Sequence, residues 1–176
     1  LMTTQPKNNL AIIFGSDTQM TEDIAERIAL KLNVENISFK DVCSIKSSEI
    51  LNYNPIIFGV PTWYVGELQS DWDVFFPEFE KIDFNGKKVA FFSLGDQYGY
   101  PDNFVDGLGI LARVVLKNGG DLYGYWPNVG YDFTNSLGLD ENGMFLGLVL
   151  DEDNQSDMSD ERIDKWIENL KKDFNL

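Results

Sequence analysis

The sequence predicts an α/β domain with a doubly wound, five-stranded parallel sheet. Apolar runs of strand length recur at residues 10–14, 55–60 and 87–94, and segments with helical spacing of apolar residues alternate with them. Strands that are apolar throughout are typical of parallel sheets covered by helices on both faces. The chain has 176 residues, of which 43% are hydrophobic, which is enough for one full core. We therefore predict a single domain over residues 1–176.

The first half of the chain contains three predicted strands and three predicted helices. The strands are expected at 10–14, 34–39 and 55–60, and the helices at 21–32, 41–52 and 68–79. The first helix has apolar residues on one face, namely Ile24, Ala25, Ile28, Ala29 and Leu32. Pro61 is expected to end the third strand, and Pro77 to end or kink the third helix.

The second half predicts a fourth strand, an interrupted fifth strand and two more helices. The strands are expected at 87–94 and 121–125, with a return to strand at 144–150, and the helices at 103–117 and 159–174. Residues 127–144 form an insertion within the fifth strand. Ser159 is expected to cap the last helix.

Charge and composition exclude several classes of function. Lys and Arg number 14 against 29 Asp and Glu, a formal net charge of −15. This balance argues against nucleic acid and against insertion into anionic membranes, and favours a positively charged protein partner. The chain has no His, so it lacks the usual general base and the commonest metal ligand. We expect no catalytic residue and no metal site.

Cysteine content and hydropathy bear on the compartment. Cys43 is the only cysteine, so no intrachain disulfide can form, and a small buried side chain is the favoured interpretation. No apolar run approaches membrane-spanning length, and the first ten residues lack a signal-peptide core. We expect a cytoplasmic monomer.

The predicted site lies where three segments leave the carboxyl ends of the strands, at residues 15–21, 61–69 and 95–103. The first offers hydroxyl groups and free backbone N–H groups at a helix start, a favourable site for a phosphate. The other two carry aromatic residues. Taken singly, these segments are ordinary capped turns or aromatic residues packed on their own domain. Together they predict a pocket for a planar, phosphorylated ligand held between rings.

Seventeen candidate binding residues are predicted, sixteen of them within these segments and one, Leu94, at the end of the strand before the third segment. They are Ser16, Asp17, Thr18, Gln19, Met20, Thr21, Pro61, Thr62, Trp63, Tyr64, Val65, Gly66, Leu94, Gly95, Asp96, Tyr100 and Asn103.

Several stretches resemble the flavodoxins, and in particular the long-chain flavodoxins of cyanobacteria and other bacteria. The strongest are residues 61–63, 66–72, 95–97, 102–104 and 151–157. The resemblance covers essentially the whole chain. The interruption between Trp126 and Phe145 is similar to the insertion that defines the long-chain class.

The resemblance implies a low-potential one-electron carrier with noncovalently bound FMN and sheet order 2-1-3-4-5. It implies that Ser16, Thr18 and Thr21 hold the FMN phosphate. It also implies partners with basic faces, such as a ferredoxin/flavodoxin–NADP reductase and photosystem I or another low-potential acceptor. Such a carrier turns over no substrate of its own.

The resemblance also assigns the residues around the flavin ring. Trp63 and Tyr100 would sandwich the isoalloxazine, and Asp96 and Asn103 would hydrogen-bond it. The peptide between Tyr64 and Val65 would turn its carbonyl toward flavin N5–H on reduction.

The phosphate segment departs from the family pattern Ser/Thr-x-Thr-Gly-x-Thr. Gln19 stands where the family has a glycine that permits an unusual φ or a close backbone approach. Met20 lacks a polar or cationic group, and Asp17 adds a negative charge near a dianion. Tyr64 occupies a place where Gly or Asn is frequent. These changes predict weaker FMN binding than in a typical member.

Two other functions remain open on sequence grounds. One is an FMN-dependent quinone or NAD(P)H reductase on the same fold, and the other is a divergent module with weak or no FMN binding that serves in protein interaction. A phosphoacceptor receiver domain is excluded, because the third strand ends in Gly59-Val60-Pro61 and not in Asp.

Overall fold

A computed structural model describes residues 9–15, 19–63 and 67–176, with the backbone alone for Thr62 and Trp63. The strands are β1 (Ala11–Phe14), β2 (Ser38–Asp41), β3 (Ile56–Trp63), β4 (Glu67–Leu68), β5 (Lys88–Leu94), β6 (Asp121–Tyr123), β7 (Trp126–Pro127), β8 (Met144–Phe145) and β9 (Leu148–Leu150). The helices are α1 (Met20–Leu32), α2 (Ser47–Ile50), α3 (Ser70–Phe79), α4 (Asp106–Lys117) and α5 (Ser159–Phe174).

The main sheet is parallel and has the order β2-β1-β3-β5-β6. This confirms the predicted order, because the predicted fourth and fifth strands correspond to β5 and β6. The edge position beside β5 is shared by two strands: β6 pairs with its first half and β9 with its second half. The chain leaves the sheet between them, forms the β7–β8 hairpin and returns. The predicted interruption of the fifth strand is thus confirmed.

The core behind the site is an aromatic cluster between β3 and α3. The rings of Phe58, Trp72 and Phe79 are fully buried, with pairwise centroid distances of 5.4–5.7 Å in edge-to-face arrangements. The indole Nε1–H of Trp72 donates to the Gly59 carbonyl at 3.0 Å, which satisfies its one donor inside the core. These contacts fix the start of α3 against the carboxyl end of β3.

The prediction that Pro61 ends the third strand is wrong. The strand β3 continues to Trp63, and Pro61 pairs with Leu94 of β5. On the other side β1 has already stopped, since its last pairing is Phe14 with Gly59. Pro61 shares the orientation of Gly59 two residues earlier, so its missing N–H lies where none of the strands that the structure describes offers an acceptor. Beyond it, β3 turns back through antiparallel β4, so the expected loop is a hairpin.

The prediction of a helix at 41–52 is also wrong. A 3₁₀ turn (Val42–Ser44) and the short α2 replace it. The strand expected at 34–39 is shifted to Ser38–Asp41, and the Asp41 side chain accepts from the Cys43 N–H and caps the turn. Val42 takes the inward position of this turn, which leaves Cys43 exposed and corrects the expectation of a buried thiol.

The last helix has the predicted bounds but not the predicted cap. Met158 precedes its first turn, and no side-chain cap is present there. Ser159 is fully buried, and its Oγ has no hydrogen-bond partner within the part of the chain that the structure describes. Pro77 lies inside α3, which ends two residues later at Phe79. None of the helices described is long and apolar enough to cross a membrane.

Candidate functional site

A cavity of about 360 Å³ lies where β3, β5 and β9 end and α1 begins. Eight of the predicted binding residues line it: Met20, Thr21, Pro61, Leu94, Gly95, Asp96, Tyr100 and Asn103. They come from all three predicted segments. The carboxyl-end rule for parallel sheets therefore brought these segments together as expected.

The remaining predicted residues do not line the cavity or cannot be placed. Gln19 is described and lies just before α1, outside the lining. The backbones of Thr62 and Trp63 pair with Leu68 and Glu67 in the β3–β4 hairpin, while their side chains lie outside the description. Six further predicted residues lie outside the described residues altogether: Ser16, Asp17, Thr18, Tyr64, Val65 and Gly66.

The first segment ends in a helix start that suits an anion. The first backbone hydrogen bond of α1 runs from the Asp23 N–H to the Gln19 carbonyl at 3.0 Å, so the N–H groups before Asp23 have no acceptor inside the helix. Thr21 is buried at the cavity wall. These N–H groups and the helix dipole favour negative charge.

Gln19 adopts a left-handed backbone conformation, which a glycine at this position would adopt without strain. Its φ is 69° and its ψ is −18°. A residue with a Cβ pays about 1–2 kcal/mol in this region. The Gln19 side chain donates a hydrogen bond to the Glu22 carboxylate, and this bond offsets part of the strain energy.

Close packing at two glycines shapes the cavity. A Cβ at Gly15 would lie 2.3 Å from Gln69 Oε1 and 2.7 Å from Trp72 Cδ1, so α3 approaches the end of β1 closely. A Cβ at Gly95 would lie 2.8 Å from Val105 Cγ1. Any side chain at either place would move the adjacent wall.

The third segment is held in shape by the carboxylate of Asp96. Its Oδ1 accepts from the Gly99 N–H at 2.8 Å, the Asn154 side chain at 2.8 Å and the Tyr98 N–H at 3.2 Å. Partial burial by itself raises the pKa of Asp96, but these three hydrogen bonds outweigh it and hold the pKa below its usual value. Asp96 is therefore ionised at neutral pH.

A strained residue lies between this segment and α4. Val105 has φ 49° and ψ 37°, a region that β-branched residues rarely enter. Beside it, Asn103 Nδ2 donates to Asp106 Oδ2 at 3.1 Å, and the Leu137 N–H donates to Asp106 Oδ1 at 2.8 Å. These bonds help to hold the backbone at Val105 in a conformation that costs energy.

Five lining residues were not among the predicted binding residues: Gln69, Phe104, Val105, Glu152 and Asp153. Glu152 and Asp153 follow β9, so the carboxyl-end rule applied to the returning strand could have identified them. Glu152 Oε1 is buried and has no hydrogen-bond partner among the described residues. Partial burial, followed by the charges of Asp96, Asp151 and Glu152, raises the pKa of Asp153 above its usual value.

The described lining therefore holds three carboxylates and no Lys or Arg. Such a wall opposes the addition of negative charge to a bound molecule. It also offers no nucleophile paired with a base.

The chain is similar to known proteins over nearly its whole length. The family model described as Flavodoxin matches residues 12–166. A flavodoxin of a Nostoc species is 45% identical over 95% of this chain and 98% of its own length, and Flavodoxin 1 of Escherichia coli K12 is 41% identical over 94% of each. The crystal structure of Fusobacterium nucleatum flavodoxin bound to flavin mononucleotide is 32% identical, with TM-score 0.87 over 94% of this chain and 98% of that one.

The strain at Gln19 gives a test on the protein without ligand. We expect the free energy of unfolding of Gln19→Gly to be about 0.5–1 kcal/mol higher than that of Gln19→Ala, because glycine adopts positive φ without a Cβ penalty. Both variants lose the contact to Glu22, so the difference isolates the backbone. Urea unfolding followed by circular dichroism measures it, and equal stabilities would show that Gln19 is not strained.

Proposed function

The chain belongs to the flavodoxin family, and on this basis we propose how its cavity binds FMN and supports electron transfer. It is an electron-transfer protein with FMN as cofactor, not an enzyme with its own substrate. The observation that carries the assignment of the site is the cavity of about 360 Å³ beside the start of α1, lined from all three predicted segments. When bound, FMN supplies a centre that takes up and releases single electrons.

The residues present fit a phosphorylated flavin. The start of α1 offers N–H groups without intrahelical acceptors, and Thr21 lies at the cavity wall. We assign the phosphate to this helix start, with Ser16 and Thr18 completing the hydroxyl set. No cation lies in the described lining, so neutral donors and the helix dipole would balance the dianion, and this supports the expectation of weaker binding.

At the other end of the cavity we assign the flavin ring to the Tyr100 side, with Trp63 as the second aromatic wall. Tyr100 is 37% exposed, so its ring is accessible beside the cavity. Asp96 and Asn103 are the proposed hydrogen-bond partners of the ring. Asn103 Nδ2 already donates to Asp106, so the Asn103 amide has a fixed orientation within the wall.

The acidic wall would set the direction of the redox potentials. The flavin gains negative charge when the second electron arrives, and the Asp96, Glu152 and Asp153 carboxylates would make this step costly. A bound flavin that resists the second electron is a strong reductant once it has accepted it.

Binding of FMN to apoprotein is the first test of the function. We expect tryptophan and flavin fluorescence to change together on titration, with a dissociation constant above a few nanomolar, followed by reduction in two separate one-electron steps. No binding at micromolar FMN would leave the fold intact and favour an interaction module instead. Rapid oxidation of NAD(P)H by the protein alone would favour a reductase.

Neutralising Asp153 should make the reduction potential for the second electron of the bound FMN less negative. We expect Asp153→Asn to raise it by on the order of tens of millivolts, because one charge is removed from the cavity wall. Asp157→Asn is the matched control, since Asp157 is exposed in the same part of the chain but does not line the cavity. Potentiometric titration of both variants measures the difference, and equal shifts would mean that only net charge matters.

The carrier passes electrons to and from redox partners, and we propose that these have basic faces. The support is the net charge of −15. Candidates are a reductase of the ferredoxin/flavodoxin–NADP type and photosystem I or another low-potential acceptor. We also propose that the protein is a monomer and works in the cytoplasm, where its free, exposed Cys43 thiol would stay reduced.

Electron transfer to such a partner should depend strongly on salt. We expect the second-order rate constant to fall by tenfold or more between about 10 mM and 300 mM ionic strength, because screening shortens the reach of the acidic surface. Stopped-flow mixing with a basic reductase measures this rate. A rate that does not change with salt would contradict docking through charge.

A further inference from the structure

Gln97 is a fully buried amide that joins three separate segments of the chain. Its N–H and Nε2–H both donate to Asp151 Oδ2, at 3.1 and 2.7 Å. Its Oε1 accepts from the Asp132 N–H at 2.6 Å. Gln97 therefore connects the third site segment to the end of β9 and to the insertion.

The bonds around Gln97 close into a ring that includes a cavity residue. Asn154 donates through Nδ2 to Asp151 and, at 2.8 Å, to Asp96 Oδ1. Asp96 precedes Gln97 in the chain and lines the cavity. Movement of Gln97 would therefore disturb Asp96 in two ways, through the peptide bond that joins them and through Asp151 and Asn154.

The insertion also contacts the far end of the same segment. The N–H groups of Thr134 and Asn135 donate to the Pro101 carbonyl at 2.8 and 3.0 Å, and the Phe104 N–H donates to the Asn135 carbonyl at 3.2 Å. With the Gln97–Asp132 bond, the insertion holds residues 97–104 at both ends. The cavity wall is therefore built against the insertion and not only against the sheet.

We propose that Gln97 is a positioning residue that couples the insertion and the Asp151 turn to the flavin-binding wall. The inference rests on the FMN-binding role given above. A glutamine suits this place because it donates to one neighbour and accepts from the other through a single planar group. A glutamate would lose the Nε2–H donor and place a second carboxylate against the buried Asp151.

The test compares Gln97→Met with a matched change at Gln155. Gln155 also contacts the insertion, since its Nε2 donates to the Gly130 carbonyl at 2.8 Å, but its Oε1 accepts from Arg162 of α5. It therefore joins the insertion to α5 and not to the cavity wall. Both substitutions replace a partly or fully buried amide with a side chain of similar length.

We expect Gln97→Met to weaken FMN binding by at least about tenfold, since it removes the Nε2–H donor from the buried Asp151 and the acceptor from the Asp132 N–H. Gln155→Met should lower stability but leave the FMN dissociation constant within about twofold. Hydrogen exchange of the Tyr98 and Gly99 amides, which donate to Asp96, should accelerate in Gln97→Met alone. Equal effects of the two variants on binding and on these amides would overturn the proposal.

One further variant, and the use of apoprotein in the exchange experiment, make the test decisive. Asn154→Ala alters an exposed residue of the same ring and should fold; we expect it to accelerate exchange of the same two amides and to weaken FMN binding by a smaller factor, about threefold. No change in either readout would count against the ring. The exchange experiment uses the apoprotein, so it tests Gln97 even if the unsubstituted protein fails to bind FMN, an outcome that would overturn the proposed function instead.

Discussion

The parallel pairing of β3 with β1 and β5 is the constraint on which the site depends. Parallel strands run in the same direction, so the segments that follow them emerge at one edge. The register places Gly59 beside Phe14 and Pro61 beside Leu94. These pairings bring the start of α1, the β3 extension and the Asp96 segment to a common cavity. A slip in this register would separate the three walls without changing any local structure.

The sequence predicted this arrangement because its signals are local. Apolar runs gave the strands, periodicity gave α1, α4 and α5, and the resemblance gave the sheet order. At position 19 the family pattern has a glycine that permits an unusual φ or a close backbone approach, and the structure shows a positive φ of 69° there. Eight predicted residues line the cavity for the same reason: each lies in, or directly beside, a segment that connects the end of a predicted strand to the start of a helix.

The features that sequence reasoning missed depend on contacts between distant parts of the chain. The continuation of β3 beyond Pro61 depends on where β1 stops, which no local pattern shows. The bond from the Asp132 N–H to Gln97 joins residues 35 positions apart. In each case tertiary structure decided between local alternatives.

The edge position shared by β6 and β9 has a consequence for how the chain can be altered. The two strands pair with successive residues of β5, so the insertion leaves and re-enters the sheet at nearly the same place. Its entropic cost of closure grows only slowly with length. The turn at Asn142 and Gly143 is exposed, and a Cβ on Gly143 would meet no other atom within 4 Å. That turn is a point where a reporter domain could be spliced into the molecule while both halves of the edge strand keep their partners.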